Sequence, residues 1–331
     1  MDLSTTYLGL ALSNPFVAGP SPLTFRLDTI RRLEEAGIAA IVLPSLFEEH
    51  LRSEQMFLFD SINTPAESFA EALSYFVEPE HALAEAQTYM DRLAEVKKAT
   101  SVPVIGSINA VNTPKWVDYA KGMEEAGADA LELDFYYVAH DVSESGEMIE
   151  RRFIDVLRSV KKTVNIPVSA KLTPFHTSLA HFACCLESEG ADGLVLLHRF
   201  YEPDIDIENL EPISRLHLSD SREILLRLRW LAIISGHVGC SLAASGGFHT
   251  VEDAVKAIMT GADCVQVCSV LEKNGIEYVR TLREGLAAWL ERNEYDSVRQ
   301  MRGSMNFNHI PDPKALSRAH YMHLLSSWGL R

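Results

Sequence analysis

The apolar positions of this chain fall into short runs, and one phrase recurs four times. EEAGIAAIVL from Glu34, EEAGADALEL from Glu124, ESEGADGLVL from Glu187 and IMTGADCVQV from Ile258 each read as a helix end, a glycine and a strand. The glycines (Gly37, Gly127, Gly190, Gly261) stand where a helix C-terminus calls for a left-handed residue. Each following run is apolar without alternation, as in a parallel strand buried on both faces. Extended along the chain, the pattern predicts eight strands, near Pro15–Ala18, Ala40–Leu43, Pro103–Ile108, Ala130–Phe135, Pro167–Leu172, Gly193–His198, Ser241–Ser245 and Cys264–Cys268. Helices separate most of them. Thr113-Pro114 opens one with an N-cap and an N1 proline, and Met148–Val164 and Arg222–Ile234 carry apolar residues at helical spacing. Eight βα units predict an α/β fold of the (β/α)8 TIM-barrel type. A doubly wound open sheet is the alternative, but no GxGxxG follows the first strand to support it.

Two insertions interrupt the pattern. Residues 45–100, after the second strand, include an acidic helix around Pro79–Lys98, and residues 201–220, after the sixth, are polar and β-like. Both follow the C-terminal ends of strands, the face on which barrel enzymes build their sites. They are candidates for lids, or else for structural flaps or dimer contacts. We expect the barrel to occupy residues 1–293 and a C-terminal helical extension residues 294–331. Within the extension, a helix from Pro313 to Trp328 is expected to pack through Tyr321 and Trp328 on the barrel or on another subunit.

Composition narrows the classes of function. A chain of 331 residues, 47% hydrophobic, can bury a large core. With 30 basic and 46 acidic residues and a net charge of −16, an extended nucleic-acid or anionic-membrane surface is not expected. No apolar run reaches the ~20 residues of a membrane span. The N-terminus, MDLSTTYLGLALSNPF, lacks a basic n-region, so we expect no secretory signal and a cytoplasmic location. Cys184, Cys185, Cys240, Cys264 and Cys268 form no CxxC pair, which argues against a disulfide framework, a zinc site or an iron–sulfur centre.

The most informative stretch is Ala243–Leu271. A strand ending at Ser245 runs into Gly246-Gly247, a helix begins near Thr250, and a second strand ends at Cys268-Ser269. Glycines let bare backbone N–H groups approach an anion, and the helix start adds unpaired donors. A (β/α)8 barrel commonly holds a ligand phosphate between the loops after strands 7 and 8. We read a phosphate cradle here, against the alternative of a plain βαβ turn. Lys171 lies midway along an apolar strand and must meet a partner, since an unpaired buried charge is costly. Either it pairs with Glu132 or Asp134, or it faces the barrel mouth toward an anionic ligand. Asp134, His198 and Asn109 close strands 4, 6 and 3 and are rim candidates; a core histidine and a ligand-free loop asparagine are the bland readings. Tyr136, Tyr137 and His140 follow strand 4 and offer proton donors or acceptors.

Taken in order, these motifs resemble the FMN-dependent dihydroorotate dehydrogenases over residues 3–292. The carriers are TTYLGLALSNPFVAGPSP at the N-terminus, SIN at Ser107–Asn109, AKL at Ala170–Leu172, SGGF at Ser245–Phe248 and Cys268-Ser269. The resemblance implies FMN across the C-terminal mouth. Ala18, Gly19 and Pro20 would meet the flavin through the backbone, and Gly246, Gly247, Cys268 and Ser269 would hold its phosphate beside Ser245. Lys171 would sit at the N1/O2 edge of the ring, with Asn109, Asp134 and His198 bonding ring or substrate and Ser45 keeping a polar position after strand 2. A homodimer and a small-molecule substrate are also implied.

Departures from the family pattern cluster on the substrate side. Where the family carries an asparagine, a cysteine or serine base and a second asparagine, this chain reads Asp134-Phe135-Tyr136-Tyr137-Val138-Ala139. Tyr137 stands at the base position, yet a phenol near pKa 10 is a poor base at neutral pH; His140 and His176 are nearby substitutes. The family lysine after strand 2 is Pro44, residues Ser74–His81 lack the asparagine-rich loop, and HRFY replaces the amides of strand 6. Lys171, Tyr137 and His140 are therefore the catalytic candidates. The expected function is an FMN-dependent oxidoreductase resembling dihydroorotate dehydrogenase, acting either on dihydroorotate in pyrimidine biosynthesis or on an altered substrate. Alternatives are an inactive flavin scaffold or electron-relay partner in a redox complex, and a flavin-free sugar-phosphate isomerase or lyase.

Overall fold

A computed structural model of the chain describes residues 1–47, 80–109, 113–213 and 215–328. Its strands are β1 (Thr5–Tyr7), β2 (Leu10–Leu12), β3 (Phe16–Ala18), β4 (Ala40–Val42), β5 (Leu46–Phe47), β6 (Val104–Asn109) and β7 (Ala130–Asp134). They continue with β8 (Val168–Leu172), β9 (Gly193–Leu196), β10 (Asp204–Asp206), β11 (Glu211–Ile213), β12 (Ser241–Ser245) and β13 (Cys264–Val267). The helices are α1 (Leu27–Ala36), α2 (Glu80–Ala99), α3 (Thr113–Glu125), α4 (Gly146–Thr163), α5 (Leu179–Ser188) and α6 (Ile224–Ile234). After them come α7 (Val251–Thr260), α8 (Ser269–Asn274), α9 (Tyr278–Arg292), α10 (Val298–Met301) and α11 (Arg318–Ser327).

Eight strands (β3, β4, β6, β7, β8, β9, β12, β13) pair in parallel round a closed ring, β13 with β3 and β4 with β6 completing it. The chain folds as a (β/α)8 barrel, and the eight strands lie within two residues of the predicted runs. The four recurrent glycines adopt left-handed φ values of 91°, 99°, 97° and 121°. Helix α7 starts with a capping box, Thr250 accepting from the Asp253 amide and Asp253 reaching back.

Alternation along the strands sorts the core into two apolar populations. Leu131, Leu133 and Phe135 of the β7 segment, like Ala170 and Leu172 of β8, join the large cluster under the helices. Val17, Val42, Ile105, Ala130, Val195, Ala243 and Cys264 form a second cluster inside the ring. The antiparallel β1–β2 hairpin supplies Tyr7, Leu8 and Leu12 to that inner cluster. Thr5 donates to the Asp263 carbonyl (3.0 Å) and the Leu8 amide to Ser241 Oγ (3.0 Å), fixing the hairpin against β12 and β13. Above the inner apolar layer the interior turns polar, with Ser107, Glu132, Ser169, Lys171 and Gln266 all buried.

The insertion after β9 forms the exposed antiparallel hairpin β10–β11. Of the first insertion, residues 48–79 lie outside the described residues, and α2 occupies the stretch read as an acidic helix. The C-terminal segment returns to the barrel before leaving it: Gly303, Met305 and Phe307 donate backbone bonds to Ile258, Met259 and Ala232. On helix α11, Tyr321 is 61% and Trp328 86% exposed, so of the two surfaces expected for these rings the described barrel is not the one that covers them. The five cysteines are free. Among the described residues, no helix is long and apolar enough to cross a membrane.

Phe135 is the hinge between barrel and helical layer, stacked on Phe153 at 4.4 Å and edge-on to Trp116 at 5.8 Å. Phe135→Ala is expected to cost about 3–5 kcal/mol, read as a lower urea midpoint at unchanged slope.

Candidate functional site

The polar upper layer of the barrel is organised by one carboxylate. Glu132, fully buried on β7, accepts from Lys171 Nζ at 3.1 Å and from Gln266 Nε2 at 2.6 Å. Asp134↔Lys171 is a register pair, so the lysine rises beside a second carboxylate. Burial by itself would lower the Lys171 pKa, but Glu132 and then Asp134 outweigh it, and the net direction is upward. Lys171 is thus a fixed cation. The pairing and the cavity-facing orientation posed as alternatives from sequence hold together.

Asp134 collects a second set of contacts. Its Oδ1 meets His198 Nδ1 at 2.8 Å, and Ser45 Oγ, bonded to Ser107 Oγ at 2.8 Å, donates to Oδ2 at 3.2 Å. Burial would raise this carboxyl, yet His198, Lys171 and Ser45 together hold it below the usual carboxylate range.

Above these groups a cavity of about 450 Å³ opens at the C-terminal strand ends. Gly19, Pro20, Ser45, Asp134, Lys171, His198, Ser245, Gly246, Gly247, Cys268 and Ser269 all line it. Two positions expected to meet the cofactor do not. Ala18 is fully buried within β3, and Asn109 donates from Nδ2 to the Asp134 and Tyr136 carbonyls (2.8 and 3.1 Å), tying down the end of β7. Burial raises the Cys268 thiol, which stays protonated and donates to the Pro20 carbonyl at 3.6 Å.

Neither Tyr137 nor His140 reaches this cavity. Tyr137 shares the parity of Phe135, which faces the helices; its hydroxyl donates to Glu144 at 2.5 Å and its ring lies under Arg152 at 5.3 Å. Together with Phe153 and His176 it lines a separate cavity of about 430 Å³. His140 is exposed and its Nδ1 bonds the Val138 carbonyl at 3.0 Å. The residue that does face the main cavity is Tyr136, whose ring lies 4.9 Å from His198 and 4.5 Å from Phe200. Burial raises its pKa, so the phenol keeps its proton.

Gly246 and Gly247 form the turn above β12 with φ of 85° and 90°. A Cβ on Gly247 would come within 2.9 Å of Ile224 and 3.1 Å of the Asp220 carbonyl; one on Gly246 would come within 2.7 Å of Arg227. The Gly246 N–H has no partner among the described residues. The Gly247 N–H donates to Ser219 Oγ at 3.3 Å, and Ser219 also contacts His249 (3.1 Å), Ser269 (3.2 Å) and Lys273 (2.7 Å). Arg227 and Lys273 form no ion pair with any carboxylate among the described residues. Sequence reading passed over Arg227, Ser219, His249 and Lys273. Arg227 had a signal: it shares the buried face of α6 with Ile224, Leu231 and Ile234, where an arginine needs a reason.

The profile described as dihydroorotate dehydrogenase matches residues 82–290. The chain belongs to the dihydroorotate dehydrogenase family. Two relatives of this dihydroorotate dehydrogenase family member span nearly all of it. The catalytic subunit of dihydroorotate dehydrogenase B (NAD(+)) from Thermoplasma volcanium is 27% identical over 313 residues, 91% of this chain and 98% of the relative. The NAD-dependent dihydropyrimidine dehydrogenase subunit PreA of Escherichia coli is 26% identical over 328 residues, 94% of this chain and 78% of the relative. The putative dihydroorotate dehydrogenase A (fumarate) of Aeropyrum pernix is 29% identical over 216 residues, 64% of the chain and 70% of the relative. These family members are oxidoreductases by name, and they differ in the pyrimidine they act on.

Two outcomes follow from the buried charges. Glu132→Gln removes the anion between Lys171 and Gln266 and is expected to cost about 3–5 kcal/mol, while adding Lys171→Met recovers part of the loss in a double-mutant denaturation cycle. Asp134 is more acidic folded than unfolded, so its stabilisation is complete above its unfolded pKa of about 3.9 and disappears as pH falls through the lower folded value. Asp134→Asn should therefore be less stable at neutral pH and show a shallower acid limb in stability measured against pH.

Proposed function

We propose that this chain is an FMN-dependent oxidoreductase whose small-molecule substrate is not dihydroorotate. The observation that carries the reading is the cradle. A free Gly246 amide and the Gly247 turn stand at the cavity beside Ser245, Cys268 and Ser269 in a chain of net charge −16. Such a set fits a phosphate dianion. The same cavity holds Lys171 and Gln266, whose buried Oε1 has no partner among the described residues and waits for an N–H donor. A heterocycle with ring N–H groups and a phosphate tail meets both ends. Bound there, FMN would supply a two-electron acceptor. Lys171, kept charged by Glu132, would stabilise negative charge on the reduced ring. That permanent charge also makes Lys171 a poor Schiff-base nucleophile, which weighs against an aldolase-type lyase.

The substrate side supports a changed specificity. Phe25, Phe47, Tyr136 and Tyr201, with Pro20, Pro22 and Pro44, make the cavity wall aromatic and apolar where an amide-lined site would grip orotate. A site lacking those hydrogen bonds discriminates against a polar ring. Tyr136 holds its proton, Tyr137 faces away, and no cysteine or serine stands at the base position. A non-catalytic flavin scaffold is the second reading, favoured by this missing base. The relatives named as subunits support electron exchange with a partner protein, and we carry forward a homodimer and, from five unpaired cysteines, a cytoplasmic setting.

Purified protein is expected to show flavin absorbance and to release FMN on denaturation. Gly247→Ala should lose most of that flavin, and Tyr137→Phe should keep it. Anaerobic dihydroorotate should leave the flavin oxidised. Bleaching at a rate typical of turnover would overturn the changed substrate, and a colourless protein that takes up no FMN would overturn the cofactor. Bleaching by another small cyclic or unsaturated compound in a metabolite screen would exclude the scaffold reading.

A further inference from the structure

Arg227 is a buried guanidinium that forms no ion pair with a carboxylate among the described residues. It is 6% exposed, and its donors go to three backbone carbonyls: Nε to Ser245, one terminal nitrogen to Glu223 at 2.6 Å and the other to Leu197 at 3.4 Å. The nearest carboxylate, Glu223, is engaged elsewhere, with Arg199 at 3.2 Å and the Asp220 amide at 3.3 Å. Burial lowers the Arg227 pKa, with Glu223 opposing, but an arginine remains charged at any pH the fold survives. An uncompensated interior cation is a cost that carbonyl dipoles only partly offset.

Its position gives that cost a use. Two of the carbonyls it binds lie at the ends of β9 and β12, the second leading into the glycine turn, and the guanidinium packs against the bare Cα of Gly246. A Cβ there would lie 2.7 Å from its terminal nitrogen and 3.1 Å from Cζ. The first glycine of the SGG turn is therefore bare on its inner side to admit an arginine, as well as left-handed at φ 85°. The residue whose N–H points free is the residue backed by the charge.

We propose that Arg227 is a positioning residue that sets this site's preference for a dianionic phosphate end over a neutral one. It fixes the Ser245–Gly246 turn and places a permanent positive charge behind the Gly246 amide. The proposal rests on the cofactor reading above and goes beyond it, since that reading needs only the amides. An ammonium at this position would keep the charge while losing the three-way tie to carbonyls. A neutral amide would lose both.

The test compares the affinities of FMN and riboflavin for the full-length apoprotein by flavin fluorescence, at low and at high salt. In the wild type FMN is expected to bind much more tightly than riboflavin. Arg227→Gln should narrow that ratio by roughly tenfold or more while riboflavin affinity changes little. Arg227→Lys should hold the ratio within about threefold of wild type. Inorganic phosphate should raise the melting temperature of wild type and Arg227→Lys but not of Arg227→Gln. A merely structural role would weaken both flavins alike and leave the ratio unchanged, which overturns the proposal. Should Arg227→Gln fail to fold, the lysine variant decides: a ratio that falls tenfold despite the retained charge overturns it. If the wild type binds neither flavin, the cofactor reading falls first and this one with it; if it binds both and only the ratio fails to move, this one falls alone.

Discussion

Everything above the barrel's apolar floor depends on the Glu132 carboxylate. It lies on β7, yet its partners come from β8 and β13, so one buried anion links three strands of the ring. Removing an ionised group from water is expensive, and the cost is offset only when charge and hydrogen bonds are both satisfied. Here a lysine ammonium and a glutamine amide do so from opposite sides. The result is a cation whose position and charge are both fixed, and a glutamine oriented with its oxygen away from the carboxylate.

That arrangement makes the barrel interior a gradient. Alanine, valine and isoleucine fill the lower layer with the β1–β2 hairpin beneath them, a charged and amide-bearing layer lies above, and the Asp134–His198 pair stands at the rim. Each step follows from the two-residue period of the strands: Ala130, Glu132, Asp134 and Tyr136 share one face of the β7 segment. The opposite face, through Phe135 and Tyr137, belongs to the helical layer and its aromatic stack.

The same period explains what the sequence made legible and what it hid. Strand number and order were readable because helix-end glycines mark four of the returns to the sheet and apolar runs mark the rest, and the left-handed turn above β12 was readable because Gly246-Gly247 falls between two such strands. Tyr137 was misjudged because alignment with a family motif gives a position and not a face; counting parity from Glu132 would have chosen Tyr136. Asn109 looked like a ligand group because its type is right for one, whereas the contacts that occupy its amide lie on another strand and leave no local trace. Arg227 was visible only as a charge on an apolar helical face, a signal that says something is nearby without saying what.

The β1–β2 hairpin carries a temporal consequence. It is made well before its anchors, since Ser241 and Asp263 follow it by more than two hundred residues. Until β12 and β13 emerge, Tyr7, Leu8 and Leu12 have no native floor to seal, and the nascent chain carries a greasy stopper without its bottle. Domains generally fold as units during synthesis. In this one the hairpin reaches its native seat only once β12 and β13 exist, so closing the ring and sealing its floor are coupled.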